Sequence, residues 1–219
     1  MTDGARQRTN MVESQILTSD VTDRRILQAM GIIPRERFVP AAWSSLAYID
    51  DGVPLSAPGR VLMAPRVFAK LLQLADIAKD DRVLDIGSGS GYSAAVLAKI
   101  AKSVSGVECE RSLADEARSN LAGLDLANAA IVEGPLPAGA ISGAPYDVVV
   151  LEGSIATKPE ALLDQLKDGG RLVGVVRQEN GLGAATIWRR FGRSYDRWTA
   201  FDASAPLLPG FEPVPAFTL

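Results

Sequence analysis

The sequence predicts an α/β protein, a seven-stranded and mostly parallel sheet with helices on both faces and a helical extension before it. Three observations predict it. Short apolar runs alternate with helix-period segments from Arg82 to Val176. Two of those runs, Tyr146-Asp-Val-Val-Val-Leu151 and Arg171-Leu-Val-Gly-Val-Val176, are almost continuously apolar, as strands covered on both faces must be. A third, Arg82-Val-Leu-Asp-Ile86, ends in a loop with glycines at 87, 89 and 91 that leads straight into a helical pattern, the strand–loop–helix unit of a Rossmann-like sheet.

From the start of the chain, the first ten residues are polar and are expected to be loose. Asn10 to Leu17 reads as a short helix. Thr22 reads as the N-cap of a helix over Asp23 to Met30, with Ile26, Leu27 and Met30 on one face and Gly31 as its stop. Pro34 to Pro40 reads as a helical turn closed by proline, and Ala41 to Leu46 as a further helical piece. Tyr48 to Arg60, broken by Asp50-Asp51-Gly52, Pro54 and Pro58-Gly59, predicts a loop with a short hairpin, a candidate lid over a substrate. Pro65 suits a first helical position, and Val67, Phe68, Leu71, Leu72 and Ala75 give that helix an apolar face ending near Asp76.

The core follows. After the glycine loop the sequence predicts a helix through Ala101, a strand closing at Glu108, a helix over Arg111 to Ala122 and a strand near Ala129 to Val132. Pro159 to Leu166 is expected to be helical and stopped by Gly169-Gly170. Ala184 to Arg190 and Trp198 to Phe201 suit an antiparallel pair at one edge, and the proline-rich Ala205 to Leu219 an extended cover. One domain over 1–219 is expected, with a helical and lid region over 1–78 and a ligand-binding core over 79–219.

Composition narrows the chemistry. A net charge of -3 gives no basic surplus for nucleic acid. No apolar run reaches membrane-spanning length and the polar start is not a secretory signal, so a cytoplasmic protein is expected, with monomer slightly favoured over an oligomer. One cysteine, Cys109, leaves no intrachain disulfide and no multi-cysteine metal site, and no metal is expected. Histidine is absent, which removes Ser-His-Asp and Cys-His catalysis, histidine-ligated zinc and a histidine base.

The glycine loop discriminates further. A dinucleotide fingerprint starting at Gly87 needs glycine where Tyr92 stands, and a P-loop needs a Gly-Lys-Ser/Thr ending that is missing. An acid two residues before the first glycine, Asp85, is ill placed beside a pyrophosphate but well placed beside an ammonium. Glu108 closes the next strand, where a carboxylate can accept hydrogen bonds from ribose hydroxyls. S-adenosylmethionine carries both groups and no phosphate. Methyl transfer to a carboxylate needs no histidine, because a carboxyl group with a pKa of about 4 is already anionic at neutral pH.

The whole chain resembles the protein-L-isoaspartate O-methyltransferases, which methylate the isoaspartyl carboxylate formed by aspartate and asparagine damage. The resemblance lies in Met11-Val-Glu-Ser-Gln-Ile16, Val21 to Met30, Pro34-Arg-Glu-Arg-Phe-Val39, Tyr48-Ile-Asp-Asp-Gly-Val-Pro-Leu55, Val83 to Tyr92, and Ala161 to Leu172. It implies S-adenosyl-L-methionine as cofactor, S-adenosyl-L-homocysteine as product and a damaged protein or peptide as partner. It implies that Asp85, Gly87, Ser88, Gly89, Ser90, Gly91, Glu108, Cys109, Pro135 and Leu136 hold the cofactor. Met63 and Asp85 take the catalytic positions, and Pro54, Leu55, Arg60, Met63, Arg66 and Glu152 face the substrate.

Two departures stand out. The family's Gly-Asp-Gly, whose acid binds the adenine amino group, is here Gly134-Pro135-Leu136 preceded by Glu133, so adenine must be held by backbone, apolar contact or a shifted Glu133. The family's Thr-Ile-Ser is here Val61-Leu62-Met63, without hydroxyls. Glu152 adds an acid near the acceptor. Transfer to a different acceptor, or a catalytically weak cofactor-binding relative, therefore stays open as an alternative to isoaspartyl repair.

Overall fold

A computed structural model describes residues 3–178 and 182–213. Seven strands form the main sheet: β3 (Arg82–Ile86), β4 (Ser103–Glu108), β5 (Ala129–Glu133), β6 (Tyr146–Ile155), β7 (Leu166–Arg177), β8 (Gly183–Phe191) and β9 (Ser194–Asp202). They lie in the order β5-β4-β3-β6-β7-β8-β9. The first five pair in parallel, whereas β7 with β8 and β8 with β9 are antiparallel. The order of connection reverses between β3 and β6, and in such sheets ligands bind in the crevice outside the carboxyl ends of the strands at that reversal. The small hairpin of β1 (Val53–Pro54) and β2 (Val61–Leu62) stands in the expected lid segment.

Helices cover both faces. On one side α3 (Pro65–Ala75) buries Phe68, Leu71 and Leu72 against β6, β7 and β8, while α4 (Tyr92–Leu97) and α5 (Arg111–Ala122) cover β3, β4 and β5. On the other, α6 (Glu160–Leu163) packs Leu162 and Leu163 with Leu84, Val149, Leu151 and Trp188. Pro65 takes the first helical position of α3, and the helix ends in a left-handed Asp76, as the pattern predicts.

Four expectations are corrected. The first ten residues are not loose: α1 (Asp3–Met11) is helical, buries Met11, and is tied down by Arg8, whose Nε donates to Gly31 O at 2.9 Å and Nη1 to Tyr48 Oη at 3.2 Å. The cap of α2 (Arg24–Ile32) is Asp23, not Thr22; its carboxylate accepts from Arg25 N at 2.8 Å, while Thr22 N is taken by Gln73 Oε1 at 2.6 Å. Gly31 lies inside α2 rather than ending it. The helix expected over Pro159 to Leu166 holds only for Glu160–Leu163. Tyr146 N donates to Gln165 O, and Leu166 already pairs with Tyr146, so the sheet claims the chain through Gly169-Gly170.

The extended cover is present as far as it is described. Ser154 N donates to Pro206 O at 2.7 Å, Leu208 N to Ser154 O at 2.9 Å and Ala156 N to Phe211 O at 3.0 Å, which lays residues 205–211 along the end of β6. The part of that reading from 214 to 219 lies outside the described residues.

Candidate functional site

The carboxyl ends of β3, β4 and β6 carry the acids that the sequence singled out. The loop after β3 turns through left-handed φ at Gly87 (82°), Gly89 (55°) and Gly91 (95°), a path open to glycine and costly for other residues. Ser88 Oγ donates to Asp85 O at 3.1 Å, and Ser90 Oγ donates to Phe38 O at 2.5 Å, so the loop is braced on both sides. Side chains stand close above it. A Cβ at Gly87 would lie 2.8 Å from Leu208 Cδ2, 3.3 Å from Arg60 Nη2 and 3.7 Å from Leu136 Cδ1; one at Gly89 would lie 2.7 Å from Leu55 Cδ1.

Asp85 is fully buried. Its Oδ2 accepts from Ser93 Oγ at 2.7 Å, whereas Oδ1 has no protein partner. Burial, with the Glu108 charge adding to it, pushes the Asp85 carboxyl up to about 7 against the opposing hydrogen bonds of Ser93 and Ser88 and the charge of Arg60. Glu152, on the neighbouring strand β6, is buried with Oε1 unpartnered, and burial beside Asp85 raises its carboxyl well above the usual range. Arg35 is buried beneath them. It donates from Nε to Ala47 O at 2.7 Å and from Nη2 to Met63 O at 2.6 Å, and its Nη1 is free. Tyr92 Oη, Arg60 Nε and Ser154 Oγ are likewise buried without partners. Glu152 feels the charges of Asp85, Arg35 and Arg60, and buried polar groups ordinarily find hydrogen bonds, so the free oxygens of the two acids mark a place suited to a polar ligand.

Glu108 is fully buried and saturated. Its Oε2 accepts from Arg60 Nη2 at 2.6 Å and Gly89 N at 2.7 Å, and its Oε1 accepts from Cys109 N at 2.9 Å and Glu110 N at 3.1 Å. Past it opens a cavity of about 440 Å³ lined by Cys109, Glu133, Gly134, Pro135, Leu136, Pro137, Pro209 and Gly210. Burial, with the Glu108 charge adding to it, pushes the Cys109 thiol up to about 11, so it stays protonated and inert at neutral pH.

A second cavity of about 400 Å³ lies between the hairpin and residues 204–206, with Met63 and Val61 in its wall and Arg177 at its edge. Arg66 is drawn away from it into an ion pair with Asp50 at 3.0 Å. Leu55 is buried against Gly89, and Pro54 is exposed on the hairpin. Sequence reading missed Arg35, Tyr92, Ser93, Ser154 and Leu208. Arg35 sits inside the quoted Pro34-Arg-Glu-Arg segment, but nothing in a charged residue near a proline announces burial.

The family model of protein-L-isoaspartate(D-aspartate) O-methyltransferase (PCMT) matches residues 6–192. The chain belongs to this family. A protein-L-isoaspartate O-methyltransferase of Methylorubrum extorquens is 37% identical over 212 residues, which span 95% of this chain and 91% of that one. A solved protein-L-isoaspartate O-methyltransferase superposes with a TM-score of 0.81 at 24% identity, over 94% of this chain and 66% of the other. A Plasmodium falciparum structure in complex with S-adenosyl-L-homocysteine superposes with a TM-score of 0.74 at 19% identity, over 92% and 97%. The last two are likenesses of fold.

The cofactor of the protein-L-isoaspartate O-methyltransferases is S-adenosylmethionine, and the residues present fit it at both ends. The free oxygens of Asp85 and Glu152 suit an ammonium. The apolar cavity beside Pro135 and Leu136 suits a purine without an acid at position 135. Among the described residues, no helix is long and apolar enough to cross a membrane.

Proposed function

We propose that this protein transfers the methyl group of S-adenosylmethionine to the side-chain carboxylate of isoaspartyl residues in damaged proteins, acting as one cytoplasmic domain over 1–219 with 1–78 as its substrate-facing part. The observation that carries the reading is the unpartnered, buried Asp85 Oδ1 at the foot of a glycine loop in a chain of this family. The cofactor supplies an electrophilic methyl on a sulfonium. Asp85 anchors the ammonium, Gly87 to Gly91 with Ser88 and Ser90 form the cradle, Glu108 addresses the ribose, and Cys109, Pro135 and Leu136 wall the adenine.

The acceptor carboxylate needs no base, so the protein's work is alignment and exclusion of water. Met63 and Val61 wall the approach from the hairpin side, Leu55 and Pro54 stand beside it on the same hairpin, and Arg66 is held away in its ion pair with Asp50. Glu152 carries a second reading, transfer to an amine or hydroxyl, because its buried, free Oε1 can accept a hydrogen bond from such a group. Labelled methyl transfer to an isoaspartyl peptide, against the same peptide with normal aspartate, decides between them. Selective labelling of the isoaspartyl peptide is expected. Labelling of neither, with cofactor binding intact by calorimetry, would move the assignment to the second reading.

A further inference from the structure

The carboxylate expected to receive a ribose already has every lone-pair site in use, and one of its partners differs in kind from the others. Gly89 N, Cys109 N and Glu110 N are backbone groups that, with the adjoining Cys109 Sγ at 3.5 Å, hold Glu108 in place by themselves. Arg60 instead reaches in from the hairpin loop 48 residues earlier in the chain. Orientation of Glu108 does not need it. Its own fit is incomplete: only Nη2 is bonded, to Glu108 Oε2 at 2.6 Å and Gly87 O at 3.1 Å, and the buried Nε has no partner. The same Nη2 stands 3.3 Å from where a Gly87 side chain would begin, over the surface that glycine leaves open.

We propose that Arg60 is a displaceable occupant of the ribose subsite, so that a nucleoside binds only by exchanging its hydroxyls for this guanidinium on Glu108. The inference rests on the cofactor reading above. The backbone at Arg60 is pinned, because Arg60 N donates to Ala57 O at 3.1 Å and Leu55 N donates to Arg60 O at 3.0 Å, so the exchange is a side-chain swing and not a loop opening. A site that is competent only when Arg60 is away shows an apparent affinity reduced by the fraction of time it is away. Arg60 thereby sets the threshold of cofactor concentration at which the enzyme loads.

The test is the dissociation constant of S-adenosylhomocysteine by calorimetry for the wild type, Arg60→Gln and Arg60→Lys, each with its melting temperature measured. Arg60→Gln is expected to bind tenfold tighter or better, and Arg60→Lys to fall between. A structural support for Glu108 would give the opposite sign. Weaker or unchanged binding by a folded Arg60→Gln therefore overturns the proposal. Should neither wild type nor Arg60→Gln bind S-adenosylhomocysteine while both melt cooperatively, the cofactor reading itself fails and takes the proposal with it. If Arg60→Gln does not fold, Arg60→Lys carries the same test, because its ammonium, on a shorter stem, holds Glu108 less well than Nη2 does.

Discussion

The guanidinium carbon of Arg35 lies 4.9 Å from the centroid of the Tyr92 ring, and the same side chain donates to Ala47 O and Met63 O. One fully buried cation thus joins the N-terminal turns, Met63 just after the hairpin strand β2 and the first residue of α4. Phe38 and Phe68 close on the same ring at 5.5 and 5.9 Å between centroids.

Arg35→Met should therefore leave two buried carbonyls unsatisfied and lower stability by about 2 to 5 kcal/mol. Arg35→Lys should recover little of it, since an ammonium has no fork to span Ala47 O and Met63 O. Denaturant unfolding of both variants checks this. A loss under about 1 kcal/mol for Arg35→Met would mean that water takes over both carbonyls.

Asp85 makes stability fall as pH rises. Its folded carboxyl is pushed up to about 7, above the unfolded value near 4, so the native state holds a proton that the unfolded chain has released. That contribution is complete below about pH 4 and is lost as pH rises through 7. Glu152 acts in the same direction. Stability should drop by one to a few kcal/mol between about pH 4 and 7, and Asp85→Asn should remove part of the slope. An ammonium prefers the ionised carboxyl, so cofactor affinity should rise about tenfold from pH 6 to 8 in the wild type and rise less steeply in Asp85→Asn, where Glu152 alone titrates. Calorimetry at three pH values settles it, and an affinity that falls with pH would remove Asp85 from the ammonium contact.

Local chemistry was legible in the sequence, and long-range pairing was not. The glycine loop, the acid at the end of β4 and the limits of α5 each follow from residues within one element, where period and φ leave few choices. The Pro159 helix was overestimated because Gln165 and Leu166 are committed to Tyr146, some 20 residues away, and no local pattern records that. Arg60 drew notice as a cation beside Met63, yet its partner is set by how the hairpin folds over the sheet. Arg8 similarly organises the polar start through Gly31 and Tyr48, contacts that composition reads only as solvated charge.

Met63 is buried at 3% exposure and lines the cavity between the hairpin and residues 204–206, at the position where the resemblance implies a hydroxyl. Met63→Ser should raise kcat/KM on an isoaspartyl peptide about tenfold, the worth of one hydrogen bond to a charged group. It should also cost about 1 to 3 kcal/mol of stability through the space left behind. Initial rates of labelled methyl transfer, read beside cofactor affinity, test the first part. Unchanged rates with unchanged affinity would show that the missing hydroxyl does not limit turnover.

Gly91 couples the cofactor loop to α5, and two separable penalties fall on Gly91→Ala. Its φ of 95° is disfavoured for alanine, and the new Cβ would come 3.0 Å from Ala117 Cβ and 3.1 Å from Ala117 Cα. Strain of about 1 to 3 kcal/mol and overpacking of similar size should add, since helix backbone cannot yield as a flexible side chain does. Gly59 supplies the control, with a φ of 73° and nothing within 4 Å of an added Cβ, so Gly59→Ala should show the strain alone. Unfolding of the two variants separates the terms, and Ala117→Gly in the Gly91→Ala background should recover only the Cβ share of the clash. Equal losses for Gly59→Ala and Gly91→Ala would show that α5 moves aside without cost, and that the close approach of loop and helix does not hold the cradle in shape.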